Sequence, residues 1–379
     1  MSRDVCLLAD TLGFMSGGGH FWVYLNWALG LRANGVRVHW LEPVPDGLPD
    51  DELAIRVETL RRHLRPHGLD RSIAVVAWTR AEPDVAPPRG CASLADVAGV
   101  SELLINFTYA MPRTVLERFR RTALVDIDPG LTQIWLANGQ MQVAPHSLYF
   151  TTGETVGHSP AIPECGLHWI YTPPCVSLQA WPVMPAPADA PFTTVSGWYV
   201  DEWVATAEGC YQNDKRHGFL PFVDLPRHTR QPLELALNTS RDGDADEELR
   251  SLEARGWRIR HAYDVAATPA DYQRYVQGSR GEFSAVKPSC VRLQNAWISD
   301  RSLCYLASGK PVVVQHTGPS RLLPERAGLF RFTTLQQAAR MLDEAALDYQ
   351  HHSRLARALA AECFDAAAVT RRVLERALP

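Results

Sequence analysis

The chain has 379 residues, with 38 Lys and Arg against 42 Asp and Glu, a formal net charge of -4, and 46% hydrophobic residues. That length is long for one core and comfortable for two domains of ordinary size. The charge balance leaves no general footprint for nucleic acid or an anionic membrane surface, and no segment is apolar for long enough to span a bilayer or resembles a signal peptide. A cytoplasmic protein is expected. The 8 cysteines are scattered, with no C-x-x-C pair and no Cys/His cluster at zinc spacing. They read as reduced core thiols, and no metal is expected.

Val5 to Ala9 is a short apolar run, followed by Gly13, the triplet Gly17, Gly18, Gly19 and then His20. From Phe21, apolar residues recur at helical spacing through Val23, Tyr24, Trp27, Ala28 and Leu31, and Gly35 closes the helix. Val36 to Leu41 reads as the next strand. This strand, glycine loop, helix, strand unit opens a doubly wound α/β domain. A dinucleotide site would want a third glycine where Trp22 stands, although Glu42 fits the ribose acid. Farther on, Asp51 to Leu64 reads as an amphipathic helix, Ile73 to Trp78 as a strand, Glu82 to Pro88 as a proline-bearing loop and Leu103 to Phe107 as a strand. Pro112 to Arg121 reads as a helix, and Ala123 to Ile127 as a strand running into the turn Asp128-Pro129-Gly130. Asn106, Thr108 and Tyr109 lie at a strand end, where open α/β sheets bind ligands. They are acceptor-side candidates, beside the plainer reading that they satisfy loop backbone. Leu131 to Leu136 starts a short helix and Leu148 to Thr151 is a strand.

Six prolines between Pro173 and Pro191 leave no room for a regular element. The expected division is therefore a first domain at 1–172, a linker at 173–191 and a second domain at 192–379, with the active site in the cleft between them. The second domain opens with Phe192 to Ser196 as a strand, then a polar stretch, then a helix begun by Lys215 and Arg216 and ended before Pro226. Leu233 to Leu237, Glu282 to Val286 and Leu329 to Phe332 read as strands. Asp244 to Arg255, Ala270 to Gln277, Thr334 to Leu347 and Ser353 to Leu378 read as helices.

Ser299 to Gly318, SDRSLCYLASGKPVVVQHTG, says more than any other stretch. Ser299 or Asp300 caps a helix, Leu303, Leu306 and Ala307 give it an apolar face, and Gly309 ends it. Pro311 to Val314 is then a strand covered on both faces. The free N–H groups at the helix start, with Arg301 beside them, suit a phosphate. Lys287, at a strand end just before this helix, is a second phosphate candidate; a solvated loop lysine is the plainer reading.

This stretch resembles the donor-binding segment of GT-B glycosyltransferases, whose fold is two Rossmann-like doubly wound domains facing a central cleft. The resemblance implies a nucleotide-sugar donor (UDP-, TDP- or GDP-sugar) and no other cofactor. Carried over residue by residue, it puts Asp300, Arg301 and Ser302 near the diphosphate and Gln315, His316 and Thr317 near the sugar. Lys215 fits loosely as a further diphosphate contact. Many members bind the ribose with a Glu whose place here is Cys304. The first stretch, Gly17 to Leu41, is similar to the glycine loop and helix of inverting members, in which a His at the helix start is the general base. His20 takes that place, with Asp126 or Asp128 to orient it. A helix-start histidine and a turn aspartate remain the plainer readings. The chain also looks like members of a bacterial group of such transferases. The implied activity is metal-independent transfer of a sugar to a hydroxyl or other nucleophile of an unidentified acceptor, with inversion. The alternatives are a nucleotide-sugar epimerase of the same fold, an NAD-dependent oxidoreductase, or a catalytically silent subunit that activates a partner. In this fold the C-terminal helices commonly pack across the domain seam.

Overall fold

The computed structural model describes residues 3–45, 47–77, 86–206, 209–239, 246–324 and 328–378. Trp78, most of the proline loop expected at 82–88 and the first residues of the helix expected from Asp244 lie outside them. Strands β1 (Asp4–Leu8), β2 (Arg37–Val44), β3 (Ile73–Ala77), β4 (Leu103–Asn106), β5 (Thr122–Asp126), β6 (Leu148–Thr151) and β7 (Trp169–Tyr171) form one sheet. Its order is β3-β2-β1-β4-β5-β6-β7, and every pair is parallel. Runs such as IAVVA in β3 are buried throughout, as a strand covered by helices on both faces requires.

The second sheet comprises β8 (Phe192–Gly197), β11 (Leu233–Asn238), β12 (Arg258–His261), β13 (Gly281–Ser284), β14 (Val312–Gln315) and β15 (Leu329–Phe332). An excursion after β8 makes a separate antiparallel hairpin of β9 (Trp203–Thr206) and β10 (Gly209–Gln212). The order β12-β11-β8-β13-β14-β15 repeats the first sheet's pattern, with the same reversal beside the first strand. These are two Rossmann-like domains, each with its topological switch point between its first and fourth strands.

Fourteen helices complete the described residues: α1 (Gly18–Ala33), α2 (Asp50–Leu64), α3 (Leu94–Val100), α4 (Arg113–Leu116), α5 (Leu131–Ala137), α6 (Lys215–Phe219), α7 (Asp246–Ala254), α8 (Ala262–Ala266), α9 (Pro269–Gly278), α10 (Pro288–Leu293), α11 (Asp300–Ala307), α12 (Leu335–Leu347), α13 (Tyr349–Cys363) and α14 (Ala366–Ala377). α1 is buried nearly all round because it lies between its own sheet, α9 and α14. Gly30 is needed there: a Cβ on it would sit 2.4 Å from the Ala366 carbonyl oxygen. The end of the chain thus closes on the first domain, where Asn34 Nδ2 donates to Ala367 O (2.8 Å) and Arg121 to Ala377 O (2.7 Å).

Several sequence expectations change in detail. The helix expected at 112–121 is one turn, α4. The helix expected from Lys215 to before Pro226 shrinks to α6 and two 3-10 turns, because Pro221 and Pro226 interrupt it. The long C-terminal helix divides at Phe364-Asp365, and the Asp365 side chain caps α14. β7, β12 and the β9–β10 hairpin were not visible, each having only three or four residues. Among the described residues of the hairpin only Val204 is fully buried. It packs with Leu131, Ile134 and Leu293, so the hairpin owes its place to docking across the cleft. Asn138 Nδ2 donates to Ala205 O there (3.0 Å).

Candidate active site

Both switch points open on the same cleft. From the first domain comes the loop between β1 and α1; from the second come the ends of β8, β11 and β12 and the start of α11. Together they line a cavity of about 280 Å³ that includes Gly17, His20, Gly197, Asn238, Tyr263 and Asp300.

The glycine triplet is required by space. None of its members has a left-handed φ. A Cβ on Gly18 would lie 2.3 Å from Thr268 O and 2.5 Å from Ala266 O, and one on Gly19 would lie 2.8 Å from the Tyr272 ring. The first turn of α1 therefore abuts the backbone between α8 and α9 of the other domain. Trp22 seals the same seam, its Nε1 donating to Pro269 O (2.9 Å) and its ring lying 4.7 Å from that of Trp181.

His20 sits in that first turn, half-buried, between the rings of Phe14 and Tyr24. Its Nε2 lies 2.7 Å from the Asp10 carbonyl oxygen. A carbonyl only accepts, so Nε2 carries the proton and Nδ1 is left with the lone pair. Burial pushes the imidazole below its usual pKa, against the backbone bond to Asp10 and the charges of Asp10 and Asp128. The ring is neutral at pH 7. Glu42 supports this arrangement from behind: fully buried, it accepts from the backbone N–H groups of Thr11 (2.8 Å) and Leu12 (3.2 Å), the Thr11 hydroxyl and Trp40 Nε1 (2.6 Å). Glu42 fixes the loop that presents the Asp10 carbonyl, and it is closed to any dinucleotide ribose.

The expected orienting carboxylate is corrected. Asp126 is fully buried and accepts from Tyr109 Oη (2.9 Å), Thr132 Oγ1 (2.8 Å), Gln133 Nε2 (2.9 Å) and Thr151 Oγ1 (2.8 Å). It ties β5, α5 and β6 together and makes no bond to His20. Asp128 reaches the site only through its field, which acts on His20, Lys287 and Asp300. Asn106, Thr108 and Tyr109 are corrected likewise. Asn106 and Thr108 bond each other across the strand end, Asn106 also contacts His146 (3.0 Å), and Tyr109 serves Asp126. None of the three lines the cavity.

The cations lie on the second domain's side. Arg301 is mostly spent on its own fold: its guanidinium pairs with Glu282 (2.7 Å) and donates to Val195 O (3.0 Å) and Ser284 Oγ (2.6 Å). Lys287 pairs with Glu202 of the hairpin arm (3.0 Å). Burial opposes its charge, but Asp128 and Glu202 outweigh burial and raise its pKa. Lys215 lies over the Trp297 ring at 5.4 Å, and no carboxylate pairs with it among the described residues. Burial first, then the charges of Arg301 and Lys287, push it down to about 7. Gly218 brings these groups together, since a Cβ on it would lie 1.9 Å from Val286 O. That contact presses α6, which starts with Lys215, onto the segment carrying Lys287. Sequence reading placed Lys287 and Arg301 ahead of Lys215, because a lysine's want of a partner is visible only in three dimensions.

Of the other expected donor contacts, Asp300 lines the cavity, and burial, reinforced by Asp128, pushes it up to about 6. Ser302 and Cys304 point into the core at 1% exposure. Thr317 is buried and donates to Trp297 O (2.7 Å), and Gln315 accepts from Val286 N–H (3.2 Å). His316 is partly exposed, with Nδ1 accepting from Gly318 N–H (3.1 Å). Asp10 was missed; its position just past the end of β1 was the available signal.

The same architecture recurs among solved structures. Anabaena Alr3699/HepE in complex with UDP and glucose matches over 99% of both chains at 12% identity and a TM-score of 0.56. An alpha-glucosyltransferase (AGT) in complex with UDP matches over 100% of both at 10% identity and a TM-score of 0.63. A further alpha-glucosyltransferase complex, with UDP and a 13-mer DNA containing a central A:G mismatch, gives 10% and 0.61 over 100% of both. No protein-family model and no curated protein sequence matches the chain. At these identities the likeness fixes the fold, and the fold is that of the GT-B glycosyltransferases.

Proposed function

We propose that the protein transfers a sugar from a nucleoside diphosphate donor to an acceptor hydroxyl, with inversion and with His20 as general base. The observation that carries this reading is Lys215, a cation with no acidic partner among the described residues, beside Lys287, Arg301 and the first turn of α11. Such a cluster is an anion site, and a diphosphate supplies the charge it lacks. The UDP held by structural relatives of the same fold supports the choice of anion.

In this mechanism His20 Nδ1 takes the acceptor's proton while the acceptor oxygen attacks the anomeric carbon. The bond from that carbon to the donor phosphate oxygen breaks, and its electron pair leaves with the diphosphate. Lys215, Lys287 and the α11 amides stabilise the charge as it grows, the interaction that lowers the barrier most when it is in place beforehand. The lysines can do the neutralising that a divalent cation does elsewhere, so turnover is expected to persist in chelator.

The test is thermal unfolding against nucleoside diphosphates, nucleotide-sugars, NADH and NADPH, followed by turnover of the stabilising donor. A ligand at about a hundred times its dissociation constant adds about 2.7 kcal/mol. Turnover by wild type and a loss of about 10²- to 10⁴-fold in His20→Ala are expected. Wild-type kcat/KM is expected to fall only below the ordinary imidazole range, because the pKa is depressed and the base form persists at pH 7. Stabilisation by a dinucleotide alone defeats the proposal. An epimeric nucleotide-sugar formed without acceptor identifies an epimerase, and a retained anomeric configuration in the product removes inversion.

A further inference from the structure

The sheet of the second domain has a second cationic cluster at its opposite end, away from the cleft. Glu282 of β13 pairs with Val312 of β14, so Arg280 and Lys310, two residues earlier, stand side by side where the strands begin. Lys310 is 0% exposed. Its Nζ is closed to water and has no hydrogen-bond partner among the described residues, and the same holds for Arg280 Nε, Tyr349 Oη and His352 Nδ1. The Arg280 guanidinium lies over the Tyr349 ring at 3.4 Å. Tyr349 and His352 share one face of α13, and that helix start presses on the same strand ends. The His352 ring lies 4.9 Å from that of Phe330, and a Cβ on Gly309 would lie 3.0 Å from Ser353 Oγ.

The arrangement holds two cations, a phenol hydroxyl and an imidazole, and no anionic group pairs with the cations among the described residues. The carboxylates nearby, Glu344 and Asp348, act on His352, and none pairs with Arg280 or Lys310 among the described residues. Burial and Arg280 push Lys310 down to about 8, which still leaves it charged at pH 7. A buried charge without a counter-charge is strongly unfavourable, and removing the charge or supplying an anion relieves it.

We infer that Lys310, Arg280 and Tyr349 hold a small inorganic anion, a halide of chloride size, between the starts of β13 and β14 and the first turn of α13. The donors are sealed from solvent, which favours a monatomic ion that gives up its water readily over a bulky oxoanion. The ion is a structural one. It pins the start of α13, whose Arg357 farther along bonds Trp181 O (2.7 Å), Ala307 O (2.6 Å) and Leu178 O (3.1 Å).

The experiment is thermal unfolding at constant ionic strength in sodium chloride, bromide, phosphate and gluconate, for wild type and Lys310→Met. In parallel, bromide-soaked crystals of wild type are examined for anomalous scattering. Chloride and bromide are expected to raise the wild-type melting temperature by several degrees over gluconate, increasing with the logarithm of halide concentration. The increment should vanish in Lys310→Met, and an anomalous peak should lie within hydrogen-bonding distance of Lys310 Nζ. Equal halide dependence in the two proteins places the effect at the cleft lysines or in bulk solvent and overturns the inference. So does a wild-type crystal without that peak, a readout that stands even if Lys310→Met fails to fold. Stabilisation by phosphate alone replaces the halide with an oxoanion and overturns the assignment as stated.

Discussion

At the scale of single residues, the site depends on which polar groups have been given partners and which have not. Asp126, Arg301 and Thr317 have the residue types of ligand-binding groups, yet their hydrogen bonds go to the fold. Lys215 is the opposite case: it starts a helix, packing half-buries it beside the charges of Arg301 and Lys287, and no carboxylate pairs with it among the described residues. Burial and the charges of Arg301 and Lys287 push its pKa down to about 7, which leaves part of Lys215 unprotonated just above neutral pH. A bound diphosphate favours the charged form, so binding must take up a proton. Calorimetry of UDP binding in buffers of different ionisation enthalpy at pH 7.5 should show that uptake, and affinity should fall as pH rises above 7. Lys215→Met should bind more weakly and take up no proton. An uptake unchanged in that variant would assign the proton to another group.

At the scale of elements, the contacts that position the site are made by residues lacking a side chain. Gly18 lets α1 meet the α8–α9 backbone, and Gly218 lets α6 meet the end of β13. A Gly18→Ala substitution puts a methyl carbon 2.3 Å from a carbonyl oxygen, which neither rigid neighbour can yield without moving. Overpacking of this kind costs about 1–3 kcal/mol, read as a lower urea midpoint with little change in slope. Gly19→Ala should cost less, since its neighbour is the edge of the Tyr272 ring and not backbone. Equal costs at the two positions would show that the seam gives way as a whole.

At the scale of the molecule, the two sheets are joined by more than the linker. α14 returns to cover α1, the β9–β10 arm reaches from the second domain to α5, and Glu154 of the first domain holds the loop at Ser320 and Arg321. Removing residues 366–379 would take away the buried side chains of Val369, Val373 and Ala377 and uncover the α1 surface around Gly30 that they cover. The truncated chain is expected to be recovered in aggregates or to bind an exposed-surface dye. A cooperative melt like that of the full chain would show that α14 only decorates the first domain.

By itself the sequence determined the class of fold. Buried apolar runs of four to six residues, separated by amphipathic helices, can be satisfied only by parallel sheets covered on both faces. The Ser299 to Gly318 stretch carries its cap, apolar face, left-handed glycine and strand in consecutive residues. Those are local signals, set by hydrogen bonding and burial within a few residues. The tertiary structure alone decided which groups the site keeps. Asp10 reaches His20 across a loop, Glu42 fixes that loop from the next strand, and Lys215 meets Lys287 through a contact 68 positions away from Gly218 to Val286. Whether a charged side chain is spent on the fold or left to a ligand depends on neighbours that the chain brings together only when it folds.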